Sequence, residues 1–289
     1  MSSGLLEIHA QPRLGDGRLV LGFSGWMDGG SVSTGTVDWL VSSLEAERAA
    51  EIRPAGFYIY NFPGSMEVAA AFRPHTRITG GLIAAYEPPT NVFYCDRATK
   101  LLLFSGKEPN LDWEGFADCF YSFASEAGVR TLYFIGSVAG AVPHTREPRL
   151  LASVSDAALK ALLEPFVVRF TDYEGPASFT TYLMTLAPRW GMRMFSLVAE
   201  IPPYIQGTNP KCIEAMVRKL AVILGLRVPI ERLREVSDAW EKRLNEVLEN
   251  EPELAKHIQK LEADYDNEVF DTQMADLKQW LQDRGVRLD

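Results

Sequence analysis

The pattern that most constrains this chain is an alternation. Short apolar runs rich in β-branched and aromatic residues recur through the first 225 positions, and segments of helical periodicity separate most of them. Runs of that length suit strands better than buried helices, and strands interleaved with helices build an α/β sheet domain. Strands are expected at residues 5–9, 19–23, 55–60, 91–95, 101–104, 131–135, 166–171 and 193–199. Helices are expected at 112–127, 150–163, 178–187 and 210–224, the last opened by Asn209 as N-cap and Pro210 in the first helical position. EPPTN at 87–91 reads as a turn joining two strands into a hairpin, which makes the sheet mixed.

The densest local signal is LVLGFSGWMDGGSVSTGTVDWLVSSL at 19–44, where a strand-like run breaks into a glycine-rich turn before Val37, Leu40, Val41 and Leu44 resume at helical spacing. Gly25, Gly29 and Gly30 allow close backbone approach, and a helix N-terminus offers free N–H groups to an anion. The known phosphate fingerprints are absent: no Lys-Ser or Lys-Thr follows Gly30, and no Gly-x-Gly-x-x-Gly occurs here. GFSGW is not the Gly-x-Ser-x-Gly of a nucleophile elbow. The glycines are therefore expected to serve packing.

Beyond Gly225 the composition changes, dividing the chain into an α/β domain over residues 1–225 and a C-terminal helical extension over 226–289. From Arg227 onward there are 10 basic and 16 acidic residues, so the extension carries −6 of the net −9. Ile230, Leu233, Val236, Trp240, Leu244 and Val247 form one amphipathic stripe, and Leu254, Ile258, Leu261 and Tyr265 form a second after Pro252. The two read as an antiparallel helical pair whose seam needs the core or another subunit to cover it. A third, short helix is expected around Met274, Leu277, Trp280 and Leu281.

Composition excludes several classes. A chain of 289 residues, 47% hydrophobic and 23% charged, can bury a sizeable core. The net charge of −9 argues against nucleic-acid and anionic-membrane binding. No stretch approaches the ~18 uninterrupted apolar residues of a membrane span, and MSSGLLEIHA has no basic leader, so a cytoplasmic location is expected. Cys95, Cys119 and Cys212 are isolated in apolar or helical sequence and read as reduced and structural. His9, His75, His144 and His257 share no ligand spacing, so neither a metal site nor a cofactor is implied.

Ligands of open α/β sheets collect beyond the carboxyl ends of the strands. Five segments qualify: SGWMDGG (24–30), SGKEPN (105–110), GSVAGAVPHTREP (136–148), DYEGPAS (172–178) and EIPPYIQGTNP (200–210). They supply Asp28, His144 and Glu174 as candidate acid/base groups. Ser24, Gly25, Gly29, Gly30, Lys107, Arg146 and Glu200 are candidate ligand-binding residues, with Glu108 in the same loops. A Ser-His-acid triad could be drawn from Ser24 or Ser105 with His144 and Glu174, although spacing alone gives it little weight. Each group also has an ordinary structural reading: Asp28 bonding its own turn, His144 capping a loop between Pro143 and Thr145, and the acids facing solvent.

Quoted together, GFSGWMDGGSVSTGTVDWL, IGSVAGAVPHTREP, GPASFTTYLMTLAPRWGMRMFSLVAEIPPYI and NEPELAKHIQKLEADYD resemble the proteasome assembly chaperone two family, over residue 5 to about 266. The last segment looks most like the bacterial branch with its C-terminal helical extension. The resemblance implies a mixed sheet between helices, similar to purine nucleoside phosphorylases, a tendency to self-assemble and no established catalytic set. Archaeal and eukaryotic relatives help assemble proteasomal α-subunits, and some dock through a C-terminal hydrophobic-Tyr-any signal. This chain ends GVRLD, with Arg287 and Leu288 in those two positions, a departure from the signal. Members have also been labelled ATP-grasp-like carboligases, but neither a P-loop nor a paired-carboxylate magnesium pattern occurs here.

The expectation is therefore a non-enzymatic assembly or interaction factor, homo-oligomeric with a trimer favoured over a dimer, and able to take a protein partner. The alternative is an enzyme or small-molecule binder for a nucleoside or phosphate-like anion at the strand-end crevice, with Asp28, His144, Arg146 and Glu174 as the first residues to test.

Overall fold

The computed structural model describes residues 4–166 and 168–283. Its centre is a nine-stranded mixed sheet. The strands of the chain are β1 (Leu6–Ile8), β2 (Gly17–Ser24), β3 (Glu47–Ile52), β4 (His75–Thr79), β5 (Leu82–Glu87), β6 (Asn91–Asp96), β7 (Leu101–Lys107), β8 (Val129–Ala139), β9 (Leu150–Val154), β10 (Arg169–Phe170) and β11 (Arg193–Ile201). The sheet runs in the order β1-β3-β6-β7-β2-β8-β11-β9-β10. β7, β2, β8 and β11 are parallel in the middle, while β1, β3, β6 and β9 join antiparallel and β10 pairs parallel with β9. A separate hairpin of β4 with β5 stands outside this sheet.

The helices are α1 (Val32–Ser43), α2 (Met66–Ala70), α3 (Trp113–Glu126), α4 (Lys160–Leu163), α5 (Phe179–Leu186), α6 (Pro210–Leu224), α7 (Glu231–Leu248) and α8 (Pro252–Asp283). Strand alternation sends Leu19, Leu21 and Phe23 to one face, where α3 and α5 cover them, and Val20 to the other, where α1 and α6 lie. An aromatic stack fills the first face, with Phe23 5.2 Å from Phe104 and 5.5 Å edge-on from Phe179. On the second, α1 closes on the sheet because Gly22 has no side chain: a Cβ there would lie 2.6 Å from the Ser33 carbonyl oxygen. The Ser33 hydroxyl completes that joint by accepting from Phe23 N at 3.0 Å and donating to the Ile135 carbonyl.

The caps are local and sequence-encoded. Asn209 accepts from Cys212 N at 3.1 Å ahead of Pro210, and Gly225 closes α6 in the left-handed region. Asp112 and Ser178 accept from Gly115 N and Thr181 N to start α3 and α5.

Several expectations are corrected. Residues 55–60 form a turn, not a strand; Phe57 and Tyr58 are buried anchors, with Phe57 edge-on to Phe116 and the Tyr58 hydroxyl 2.7 Å from Asn91 Oδ1. The strand of that region is the earlier β3. Residues 150–163 are not one helix but β9, antiparallel to β11, followed by short helical turns. EPPTN joins no hairpin, since β5 belongs to the outer pair while β6 pairs with β3 and β7. The β6–β7 hairpin turns instead at 97–100, where the Asp96 carboxylate accepts from Ala98 N and Thr99 N. The expected third tail helix is the end of the continuous α8, and the side chains of Leu277, Trp280 and Leu281 lie outside the described residues. Arg287 and Leu288 also lie outside them. The β4–β5 hairpin matches none of the expected strands.

The tail pair docks on its own chain. Leu233, Leu248 and Ile258 are buried and Ile230, Trp240, Leu244 and Leu261 half-buried, with α7 packed along α6. No described helix is long and apolar enough to cross a membrane.

Candidate functional site

The carboxyl ends of β2, β7, β8 and β11 converge as the parallel sheet requires, and most of the sequence-predicted residues sit there. The glycine-rich turn is first a packing device. Gly25 lies where a side chain would meet Glu108, and Gly29 where one would meet Ile201. Gly30 adopts φ 64° against Asn209, and its carbonyl accepts from Asn209 N at 2.8 Å. The Asp28 carboxylate accepts from Thr34 N at 3.1 Å and from the Thr34 hydroxyl at 2.8 Å, so it occupies the N-terminus of α1 where an exogenous anion would bind. Burial raises the Asp28 pKa, and the Thr34 hydrogen bonds oppose that rise.

Glu108 ties two loops together. Its carboxylate accepts from Trp26 N at 3.0 Å and from Phe179 N at 2.8 Å, fixing the β2 turn to the first residue of α5.

The loop after β8 carries His144 and Arg146, and it is where the tail helices attach. His144 is 2% exposed; its Nδ1 lies 2.9 Å from the Tyr204 hydroxyl and its Nε2 3.0 Å from Asn245 Oδ1 on α7. His144 N already donates to the Tyr204 oxygen at 3.0 Å, so that hydroxyl donates to Nδ1 and Nε2 carries the proton given to Asn245. Burial pushes the imidazole pKa below its usual value. Arg146 makes a two-toothed pair with Asp266 of α8, Nε and Nη2 each at 2.8 Å. Arg149 stacks 4.5 Å over the Tyr265 ring and pairs with Glu268 and Glu200. Thr145 donates to Glu262, and the Tyr265 hydroxyl donates to the Glu147 carbonyl at 2.8 Å. His144, Arg146 and Glu200 do come together, around a gap of only about 10 Å³.

Two larger cavities remain. The first, about 370 Å³, lies at the ends of β2 and β7 and brings Ser24 and Lys107 together with Thr34, Asp38, Ser105 and the hairpin-base residues Arg73, His75 and Glu87. Asp38 accepts from the Ser105 hydroxyl at 3.2 Å, and Lys107 Nζ lies 6.0 Å from the centre of the Tyr58 ring. The second, about 220 Å³, opens on the α5 face of the sheet under Trp26 and Tyr173. Glu174 is exposed in the loop beyond β10 and lines neither cavity, and His144 lines neither. Ser24 and Ser105 therefore meet neither other member of the triad drawn from sequence.

Sequence reasoning missed Asp38, Tyr204, Asn245 and Asp266. Asp38 was legible as a polar break four residues after Thr34 on α1, whereas the other three gain meaning only through tertiary contact. Among the described residues no group of three His, Cys, Asp or Glu side chains is placed to hold a metal ion. The three cysteines are buried and unpaired, and burial raises the Cys212 thiol to about 12.

This fold and site define an α/β sheet protein whose strand-end loops are largely committed to internal docking. The chain belongs to the PAC2 family, whose model matches residues 22–248, ending with the last residue of α7. No protein of curated function matches it. Among solved structures it is similar to the Mycobacterium tuberculosis proteasome-assembly chaperone homologue Rv2125, at 26% identity and TM-score 0.69 over 79% of this chain and 94% of that one. A PAC2 family protein from Streptomyces avermitilis matches at 25% identity and TM-score 0.68 over 80% and 95%. The M. tuberculosis protein Rv2714, of unknown function, shares the fold at 22% identity and TM-score 0.83 over 95% of this chain and 92% of its own.

Proposed function

We propose that this protein is an assembly or interaction factor that binds other polypeptide chains without turnover. The observation that carries the reading is the β4–β5 hairpin. It stands apart from the main sheet and presents Leu82 and Ile83 at 76% and 74% exposure beside exposed Ile78 and Tyr86. Apolar side chains gathered on one exposed element mark a protein contact. Family membership and the likeness to a proteasome-assembly chaperone homologue support the same reading.

The protein acts in the cytoplasm as a homo-oligomer, a trimer in preference to a dimer, with the hairpin as part of the contact and a further protein partner bound by the assembly. The fold is of the purine nucleoside phosphorylase type, as the resemblance implies, and residues 226–289 act as an extension that braces the 1–225 domain. In this role Asp28, His144, Arg146 and Glu200 hold the extension and the β2 turn in place. Purification from the native host under mild conditions, across a range of salt, tests this. A stoichiometric protein partner is expected; recovery of a small metabolite and no protein would overturn the reading.

A second reading rests on the 370 Å³ cavity, whose Ser24, Lys107, Arg73 and His75 suit a nucleoside or a phosphate-like anion. Thermal-shift screening with nucleosides, phosphate and adenine nucleotides tests it. Ligand at 100 times its dissociation constant adds roughly 2.7 kcal/mol, a rise of several degrees. No rise with any class removes this reading.

A further inference from the structure

The 220 Å³ cavity shares no lining residue with the 370 Å³ one. Its floor is the α5 face of β8, β9 and β11, through Val138, Leu151, Ser153, Ser196 and Val198, and α5 and residues 171–178 form its wall. None of its lining residues is charged, so an anion or cation entering it would lose hydration without a counter-charge.

Its polar side chains are mostly hydroxyls; Ser178 bonds Thr180 at 2.8 Å and Thr181 at 3.1 Å, which leaves Ser196 and Ser153 on the sheet side as the poorly partnered ones. Ser196 is 7% exposed, lines the cavity and has no side-chain hydrogen bond among the described residues. Ser153 reaches only the Met184 sulfur, a weak acceptor, at 3.9 Å. With no partner among the described residues, the Ser196 hydroxyl is available to bond a guest that enters.

The mouth is aromatic and fixed. Trp26 and Tyr173 are 66% and 68% exposed, yet the Trp26 backbone is held by Glu108 and the Tyr173 hydroxyl donates to the Pro176 carbonyl at 3.2 Å. A ring already held through its backbone or its hydroxyl loses little freedom when it closes over a flat guest. An apolar protein cavity of about 150 Å³ accepts benzene, so 220 Å³ suits a fused two-ring system.

We propose that this cavity is a binding site for a small, uncharged, two-ring aromatic molecule, stacked under Trp26 and Tyr173 with a hydrogen-bonding edge on Ser196.

The test uses full-length protein labelled with 13C in the methionine methyl groups, titrated separately with indole and with naphthalene. Saturable shifts are expected for Met27 and Met184 and not for Met216, which lies in the core on the opposite face. Ser196→Val, which keeps a strand-compatible side chain, is expected to lower the indole-to-naphthalene affinity ratio by about threefold to tenfold. Tyr173→Ala, an exposed change that leaves the core untouched, weakens both probes. Absence of saturable Met27 and Met184 shifts at millimolar indole overturns the site. Binding of both probes with an unchanged ratio in Ser196→Val overturns the hydrogen-bonding assignment, and with it the stated ligand class.

Discussion

Asn245 of α7 accepts a hydrogen bond from Nε2 of His144, 101 positions earlier in the chain, at 3.0 Å. That contact joins the loop after β8 to the tail, and Trp240 packs edge-on against the same imidazole. Asn245→Ala leaves a buried N–H without a partner, a cost of about 1–3 kcal/mol. Urea unfolding should show that loss, and hydrogen exchange should show the amides of α7 opening before those of α6. Equal protection of both helices in the variant would place the attachment elsewhere.

The same histidine sets a pH dependence. Burial holds its folded pKa below the ordinary value of 6.5, against the pull of Asn245, Glu241 and Glu262 and with the push of Lys211. The folded state therefore binds fewer protons than the unfolded one just below that value. The His144 contribution is complete above pH 6.5 and declines as pH falls from there through the folded pKa. Its slope is at most about 1.4 kcal/mol per pH unit. His144→Gln should flatten this part of the stability profile, whereas Asn245→Asp should lessen the loss on acidification by favouring the imidazolium. A profile unchanged by His144→Gln would contradict the assignment.

Glu108 is expected to matter more than its loop position suggests. Glu108→Ala frees both Trp26 N and Phe179 N, and charge-assisted hydrogen bonds of this kind contribute about 1.5–3 kcal/mol each at most. Reduced thermal stability with a mobile Trp26, seen as a red-shifted and more quenchable fluorescence component, is the expected result. Glu108→Gln should recover part of it, because the amide oxygen still accepts one bond.

Gly30 tests the packing account of the glycine-rich turn. Its φ of 64° opposes substitution, and so does the neighbouring cap, since a Cβ added at Gly30 would lie 2.8 Å from Asn209 Cβ. Gly30→Ala should cost about 1–2 kcal/mol from the left-handed backbone alone, plus displacement of the residue that caps α6. A neutral effect in calorimetry would mean that the turn has room to relax.

How much of this was visible in the sequence follows from what each element depends on. β2, β7, β8 and β11 are covered on both faces and so appear as continuous apolar runs. The caps at Asn209 and Gly225 are local chemistry and were equally legible. β3, ERAAEI, carries helix-favouring residues and becomes a strand only because β1 and β6 pair with it. GFYIY at 56–60 has strand composition, but Pro54 and Gly56 turn the chain and tertiary burial takes Phe57 and Tyr58. LLASVSDAALKALL contains a strand and a helical turn in succession, and helical spacing read across both. At the site, the proline-flanked His144 and Arg146 stood out as unusual, but Tyr204, Asn245 and Asp266 lie far along the chain. Spacing could nominate the two residues and could not say that the tail had already engaged them.

Light scattering during size-exclusion chromatography tests whether the protein works through contacts with other chains and whether the β4–β5 hairpin makes one of them. Wild type is compared with Leu82→Asp/Ile83→Asp, two exposed changes that leave the core intact. A homo-oligomer is predicted for the wild type at micromolar concentration, and a shift to monomer with an unaltered circular dichroism spectrum for the variant. A wild-type monomer, or an oligomer indifferent to the substitutions, would contradict the account.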